Sequence, residues 1–179
     1  STRSWAAPSS AQLSGLAANT TYFLFVRAVG HSGAATPYVG LGSTATLANT
    51  PVAAGVPFSD VSTGSLVGYW GANANGAGTR YEVVAGTTTP YSASDAGNIR
   101  ITTAPEGAPS SAFTDLLANA SYYLYAAAFN RAGVPTPYAS LGSTLTLVKV
   151  PAVSTPAFAG TSFDSLTAQW SHGGNSSGT

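Results

Sequence analysis

A chain of 179 residues with 44% apolar content has room for a packed core, yet Lys, Arg, Asp and Glu together make up only 7% of it, against roughly a quarter in an ordinary soluble domain. Six basic and six acidic residues cancel, which removes the electrostatic footprint of a nucleic-acid binder and the polybasic stretch of a membrane-surface binder. Cysteine and methionine are absent, so disulfides, thiolate metal sites and thiol catalysis are excluded, and no apolar run is long enough to span a bilayer.

In chain order the apolar positions alternate. Tyr22, Leu24, Val26 and Ala28 share one face, and the string TPYVGLGSTATL follows at 36–47. Pro51 opens the next strand, SLVGYW (65–70) puts Leu66, Gly68 and Trp70 on one face, and TRYEVVAG offers Tyr81, Val83 and Ala85. YYLYAAAF then aligns Tyr122, Leu124, Ala126 and Ala128. STLTL reads as an edge strand with Leu145 and Leu147 inward and Thr144 and Thr146 outward. SLTAQW (165–170) repeats the earlier pattern with Leu166, Ala168 and Trp170. Period two over five to eight residues, bounded by Gly, Pro and Asn clusters, predicts half-buried antiparallel strands, with Trp70 and Tyr122 in the core.

The string at 36–47 returns as TPYASLGSTLTL at 136–147, and an ungapped offset of 100 extends the match both ways. Leu16, Asn19, Tyr22 and Gly33 match Leu116, Asn119, Tyr122 and Gly133; Pro51, Phe58, Leu66 and Trp70 match Pro151, Phe158, Leu166 and Trp170. A period near 100 residues suits an independent small domain and is too long for a solenoid repeat. With a domain starting near Pro51, residues 1–48 are the C-terminal part of one unit, 49–148 a complete unit, and 149–179 the N-terminal part of the next. The positions matching 80–100 are missing from both partial units, as in a window on a longer array. The partial units leave apolar faces for neighbouring repeats or further copies to cover.

These residues resemble the fibronectin type III family, in the form found in long bacterial surface proteins. The resemblance rests on Pro51 and Pro151 opening a first strand, Trp70 and Trp170 ending a second, and Leu-x-x-x-x-x-Tyr at Leu16–Tyr22 and Leu116–Tyr122. It implies an all-β, immunoglobulin-like sandwich in tandem, and a tyrosine corner in which the Tyr hydroxyl bonds upstream backbone. Where the family usually has Pro-Gly, this chain has Ala18-Asn19 and Ala118-Asn119; Asn tolerates the left-handed backbone that Gly would supply.

Chemistry is sparse. His31 matches Arg131 and His172 matches Ala72, so neither histidine belongs to the repeat plan. The carboxylates are scattered, SDAGN (94–98) is a poor cation cage and reads as a turn, and no phosphate loop or nucleophile elbow occurs. No catalytic, cofactor or metal residue is expected. Three sequons, at Asn19, Asn119 and Asn175, are possible glycosylation sites, a count that chance alone accounts for. The expected function is a non-catalytic structural or adhesive segment of an extracellular or cell-surface tandem-repeat protein, partnered by neighbouring repeats or copies of itself. The alternative is a spacer or a carbohydrate- or partner-binding module of a secreted carbohydrate-active enzyme, with Tyr38, Tyr138 or Trp5 as its sugar platform.

Overall fold

The computed structural model describes residues 9–89, 91–92, 94–95, 97–103 and 109–176. Trp5 and the central residue of the 94–98 turn lie outside them. Among the described residues there are eleven strands and no helix.

The middle of the chain supplies seven of the strands. β3 (Val52–Ser59), β4 (Leu66–Gly71) and β7 (Ser110–Phe113) form one sheet in the order β3-β4-β7. β5 (Arg80–Gly86), β6 (Ile99–Thr103), β8 (Ser121–Phe129) and β9 (Ala139–Leu145) form the other, in the order β6-β5-β8-β9. Every strand pairing in the two sheets is antiparallel. β4 alternates as expected: Leu66, Gly68 and Trp70 are buried, and Trp70 is only 2% exposed. Across the core stand Tyr81, Val83 and Ala85 of β5 and Tyr122, Leu124, Ala126 and Ala128 of β8, with Phe113 and Leu141 filling between. Each large side chain buried there contributes about 1.5–3 kcal/mol by leaving water. The Tyr81 ring meets Trp70 edge-on, with centroids 5.6 Å apart. The sheets approach closely at Gly68, where a Cβ would come within 2.6 Å of a Leu124 methyl.

β9 is the edge strand the sequence predicts, but its faces are reversed. Thr146 is 1% exposed, whereas Leu145 and Leu147 are each 54% exposed. The cause is a bulge: Leu124 pairs with Gly142 but Tyr125 with Ser140, so Leu141 is the extra residue, and Gly142 takes a φ of 117°. Leu141 enters the core, and beyond the bulge the even-numbered positions face inward, Thr144 lying opposite the core residue Tyr122.

The flanking elements are hairpins: β1 (Thr21–Val26) with β2 (Val39–Ala45), and β10 (Ala152–Thr161) with β11 (Leu166–Ser171). β1–β2 has the register of β8–β9, including the bulge after its leucine. β10–β11 likewise follows β3–β4: Phe158 pairs with Ala168 as Phe58 pairs with Gly68.

Candidate functional site: the Ala-Asn turns and their partners

The recurrent twelve-residue string acts as a suture. Thr136 Oγ1 accepts from Ala128 N–H at 3.0 Å while its own N–H donates to the Ala128 carbonyl, fastening the loop after β8. Ten residues on, Thr146 Oγ1 accepts from Ala120 N–H at 3.0 Å and donates to Leu117 O at 2.6 Å. Thr36 and Thr46 make the same bonds to Ala28, Thr20 and Ala17. Tyr22 and Tyr122 complete each turn: their hydroxyls accept from Ala17 N–H and Leu117 N–H, both at 2.9 Å. This is the expected tyrosine corner, with the Tyr122 ring buried.

Held in that turn, Asn19 and Asn119 take φ values of 48° and 51°. Asn19 does more than tolerate the turn. Its side chain is 3% exposed; Nδ2 donates to Thr79 Oγ1 at 2.7 Å and Oδ1 accepts from Arg131 N–H at 2.7 Å. The Asn19 carbonyl accepts from Arg131 Nε at 3.2 Å, and Asn130 Nδ2 donates to Thr46 O at 3.2 Å. The turn that closes β1–β2 is thereby bonded to two loops at one end of the central sandwich, 73–79 and 130–134.

Beside this contact the linker is clamped. Asn75 Oδ1 accepts from Asn49 N–H at 2.7 Å and its Nδ2 donates to Asn49 O at 2.7 Å, while Asn73 Nδ2 holds Thr50 O. Asn75 and Thr79 also hydrogen-bond Tyr81, which lowers the acidity cost of its site, but burial outweighs them and leaves the phenol harder to ionise than usual.

The arrangement recurs at the other end. Asn175 Oδ1 accepts from Lys149 N–H at 2.7 Å and Nδ2 donates to Lys149 O at 2.9 Å. Asn175 also forms a parallel bridge with Ala118, Ser176 N–H donates to Ala118 O, and Ser176 Oγ donates to Asn119 O. Position 179, which matches Thr79, lies outside the described residues. The Ala18-Asn19 turn therefore meets the loop after β4, and the Ala118-Asn119 turn meets the residues after β11. The sequence marks Asn19 and Asn119 as sequons and turn formers and Asn175 as a sequon; it does not mark Asn75, Thr79, Asn130 or Arg131 as their partners. Their signal was Asn75 matching Asn175 within the repeat.

Other candidate residues fall elsewhere. Nδ2, the atom that glycosylation derivatises, is a donor within the fold at both Asn19 and Asn175, and Asn119 is half-buried. His31 stands in the exposed turn between β1 and β2, and His172 Nδ1 accepts from Gly174 N–H. Asp95 accepts from Thr88 and its carbonyl from Asn98 N–H, in a turn. Among the described residues no group of three or more His, Asp or Glu could hold a metal, and no helix is long and apolar enough to cross a membrane. The Tyr138 ring meets Tyr91 tilted by 42° with centroids 4.5 Å apart and its hydroxyl donates to Glu82, whereas Tyr38 is exposed with the Arg27 guanidinium 4.8 Å above its ring.

Strand order β3-β4-β7 over β6-β5-β8-β9, with a tyrosine corner before β8, decides the architecture. The fold is fibronectin type III-like. No family profile and no curated protein matches the chain. Solved structures do. The FN1–FN3 domains of chicken CNTN1 align at 21% identity over 72% of this chain and 42% of that one, with a TM-score of 0.43. Domains d3–d4 of the rat CD45 extracellular region align at 16% identity over 78% and 74%, with a TM-score of 0.41. A myokine structure aligns at 16% identity over 56% and 96%, also at 0.41.

Proposed function

We propose that this chain is a non-catalytic structural segment of an extracellular tandem-repeat protein, in which hydrogen-bonded joints hold successive fibronectin type III-like units in one orientation, as a stalk, fibre or surface layer requires. The observation that carries the reading is the buried Asn19 side chain, which bonds Thr79 and Arg131 of the following unit. A flexible string of domains has no use for it, because ordering a linker costs backbone entropy that only fixed geometry repays. The low charge of the chain adds to this, since little repulsion opposes close end-to-end contact. On this reading the three sequon asparagines serve the turns and joints.

The test is Asn19→Gly, which keeps the left-handed turn and removes the side chain. Small-angle scattering of the native chain should fit a single rigid arrangement of β1–β2 against the central sandwich. The variant should need an ensemble of orientations while the sandwich keeps its melting temperature. A native chain as flexible as the variant would sink the proposal.

In the spacer or sugar-binding alternative Tyr138, half-buried, is engaged by Tyr91 and Glu82. Tyr38 is left as the exposed ring among the described candidates.

A further inference from the structure

Asn75 is followed by glycine, and no other asparagine in the chain is. Such a pair carries its own chemistry: glycine has no Cβ to hinder its nitrogen, so the Gly76 nitrogen can attack Cγ of the Asn75 side chain. Here that nitrogen is also disengaged. Among the described residues nothing accepts from the Gly76 N–H, Gly76 is exposed, and a Cβ there would meet nothing within 4 Å. The matching position differs in both respects. Residue 176 is serine, and its N–H donates to Ala118 O at 3.0 Å. What restrains Asn75 is its own clamp on Asn49, through Oδ1 and Nδ2.

We infer that Asn75-Gly76 is a site of spontaneous deamidation, which releases the grip on residue 49 irreversibly as the protein ages, while Asn175-Ser176 stays intact. When the clamp opens, the Gly76 nitrogen bonds to Asn75 Cγ and gives up its proton to water. The Cγ–Nδ2 bond breaks and ammonia leaves, and the product is a cyclic imide. Water reaches it in this exposed loop and adds to either of its carbonyls. Opening of the new Cγ–N bond yields aspartate at 75. Opening of the original peptide bond yields isoaspartate, in which the main chain runs through Cγ. Water enters, ammonia leaves, and no oxidant or cofactor takes part. Either product lacks the donor that holds the Asn49 carbonyl, and sets a carboxylate against it. Isoaspartate also lengthens the main chain by a carbon atom just before Gly76. That shift reaches the Ala18-Asn19 turn, because the Gly76 carbonyl accepts from Thr79 Oγ1 at 2.7 Å and Thr79 Oγ1 accepts from Asn19 Nδ2 at 2.7 Å. One chemical event therefore loosens both the lead into β3 and the contact of β1–β2 with the loop after β4. The second effect rests on the structural role proposed above for Asn19.

The experiment ages the folded chain at mildly alkaline pH and body temperature, beside a portion kept unfolded in urea and the variant Gly76→Ala, whose added Cβ has open space. Peptide mapping by mass spectrometry reads aspartate and isoaspartate at every asparagine. The unfolded chain should convert at position 75 first. The folded chain should convert at the same position severalfold more slowly, because only the opened clamp reacts, and Asn175 should remain an amide. Gly76→Ala should keep the native melting temperature and slow the conversion severalfold further. The aged fraction, separated by its added charge, should exchange the Asn49 amide faster than fresh protein and scatter as an ensemble of orientations. A folded chain that keeps Asn75 long after the unfolded chain has converted overturns the inference. So does conversion of Asn175 or another asparagine at the same rate, or a Gly76→Ala variant that converts as fast as the native chain. Unchanged exchange at Asn49 in the aged fraction overturns the release of the lead into β3, and an unchanged scattering profile overturns its spread to the Asn19 turn. Scattering from the fresh chain tests the structural reading separately: if that fails, the mapping still decides whether Asn75 deamidates.

Discussion

The hydroxyl of Thr146 bridges Leu117 and Ala120, accepting from one backbone group and donating to the other across 26 and 29 positions of sequence. Thr146→Val keeps the shape and leaves a buried N–H and a buried carbonyl short of a partner. The expected cost is roughly 1–3 kcal/mol, read as a lower denaturant midpoint with an unchanged slope. Thr144→Val, a position without such bonds, should cost much less. Equal effects at the two positions would mean that the suture is not what makes Thr146 matter.

That pair also marks where sequence reading stopped short. Alternation placed the strands, the Trp70 and Tyr122 core positions and the edge location of β9 correctly, because burial on one face of a sheet imposes period two. It failed on STLTL because one bulge at Leu141 shifts the phase, and a bulge has no periodic signature beyond the glycine beside it. Thr146 looked like a polar outward residue when it is a buried hydrogen-bonding one. The joint was half legible: Asn19 and Asn119 stood out as replacements in the turn, but their partners lie up to 112 positions away, and no local pattern announces a contact of that span.

Trp70 and Trp170 are matching residues with opposite surroundings, 2% and 67% exposed. Trp70→Ala should cost on the order of 3–5 kcal/mol, enough to unfold so small a sandwich. In dilute, monomeric solution Trp170→Ala should cost no more than about 0.5 kcal/mol. Chemical denaturation followed by circular dichroism distinguishes them. A mild Trp70 variant would show that the two sheets do not depend on that ring for their packing.

Tyr81 links stability to alkaline pH. Burial raises its pKa in the folded state above the ordinary value of 10.0, so the unfolded chain loses this proton first. Its contribution is intact below pH 10 and disappears as pH rises from there through the folded pKa. Tyr81→Phe removes the proton from both states. The native protein should therefore lose stability relative to the variant above pH 10, with the difference between them flat from neutral pH up to that point. A difference that already changes between pH 7 and 9 would assign the dependence to another group.

Asn75 and Asn175 grip the backbone of residues 49 and 149 in the same two-bond manner, and that grip fixes where the chain leads into β3 and into β10. The amide of residue 49 can exchange with solvent only when the Asn75 bond opens, so its exchange rate reports the clamp directly. Asn75→Ala should accelerate exchange at Asn49 while leaving amides in the middle of β5 and β8 protected. Asn175→Ala should do the same at Lys149 and leave Asn49 unchanged, because the two clamps share no residue. Asn75→Asp is the sharper probe: it keeps an oxygen for the Asn49 N–H but loses the donor to the Asn49 carbonyl, and it places a carboxylate beside the Tyr81 hydroxyl's surroundings. Protection at Asn49 should then fall less than in the alanine variant. If alanine and aspartate accelerate exchange equally, the donor to the carbonyl is the bond that holds the linker. If neither changes it, the linker is held by its strand pairing in β3 and not by the asparagine.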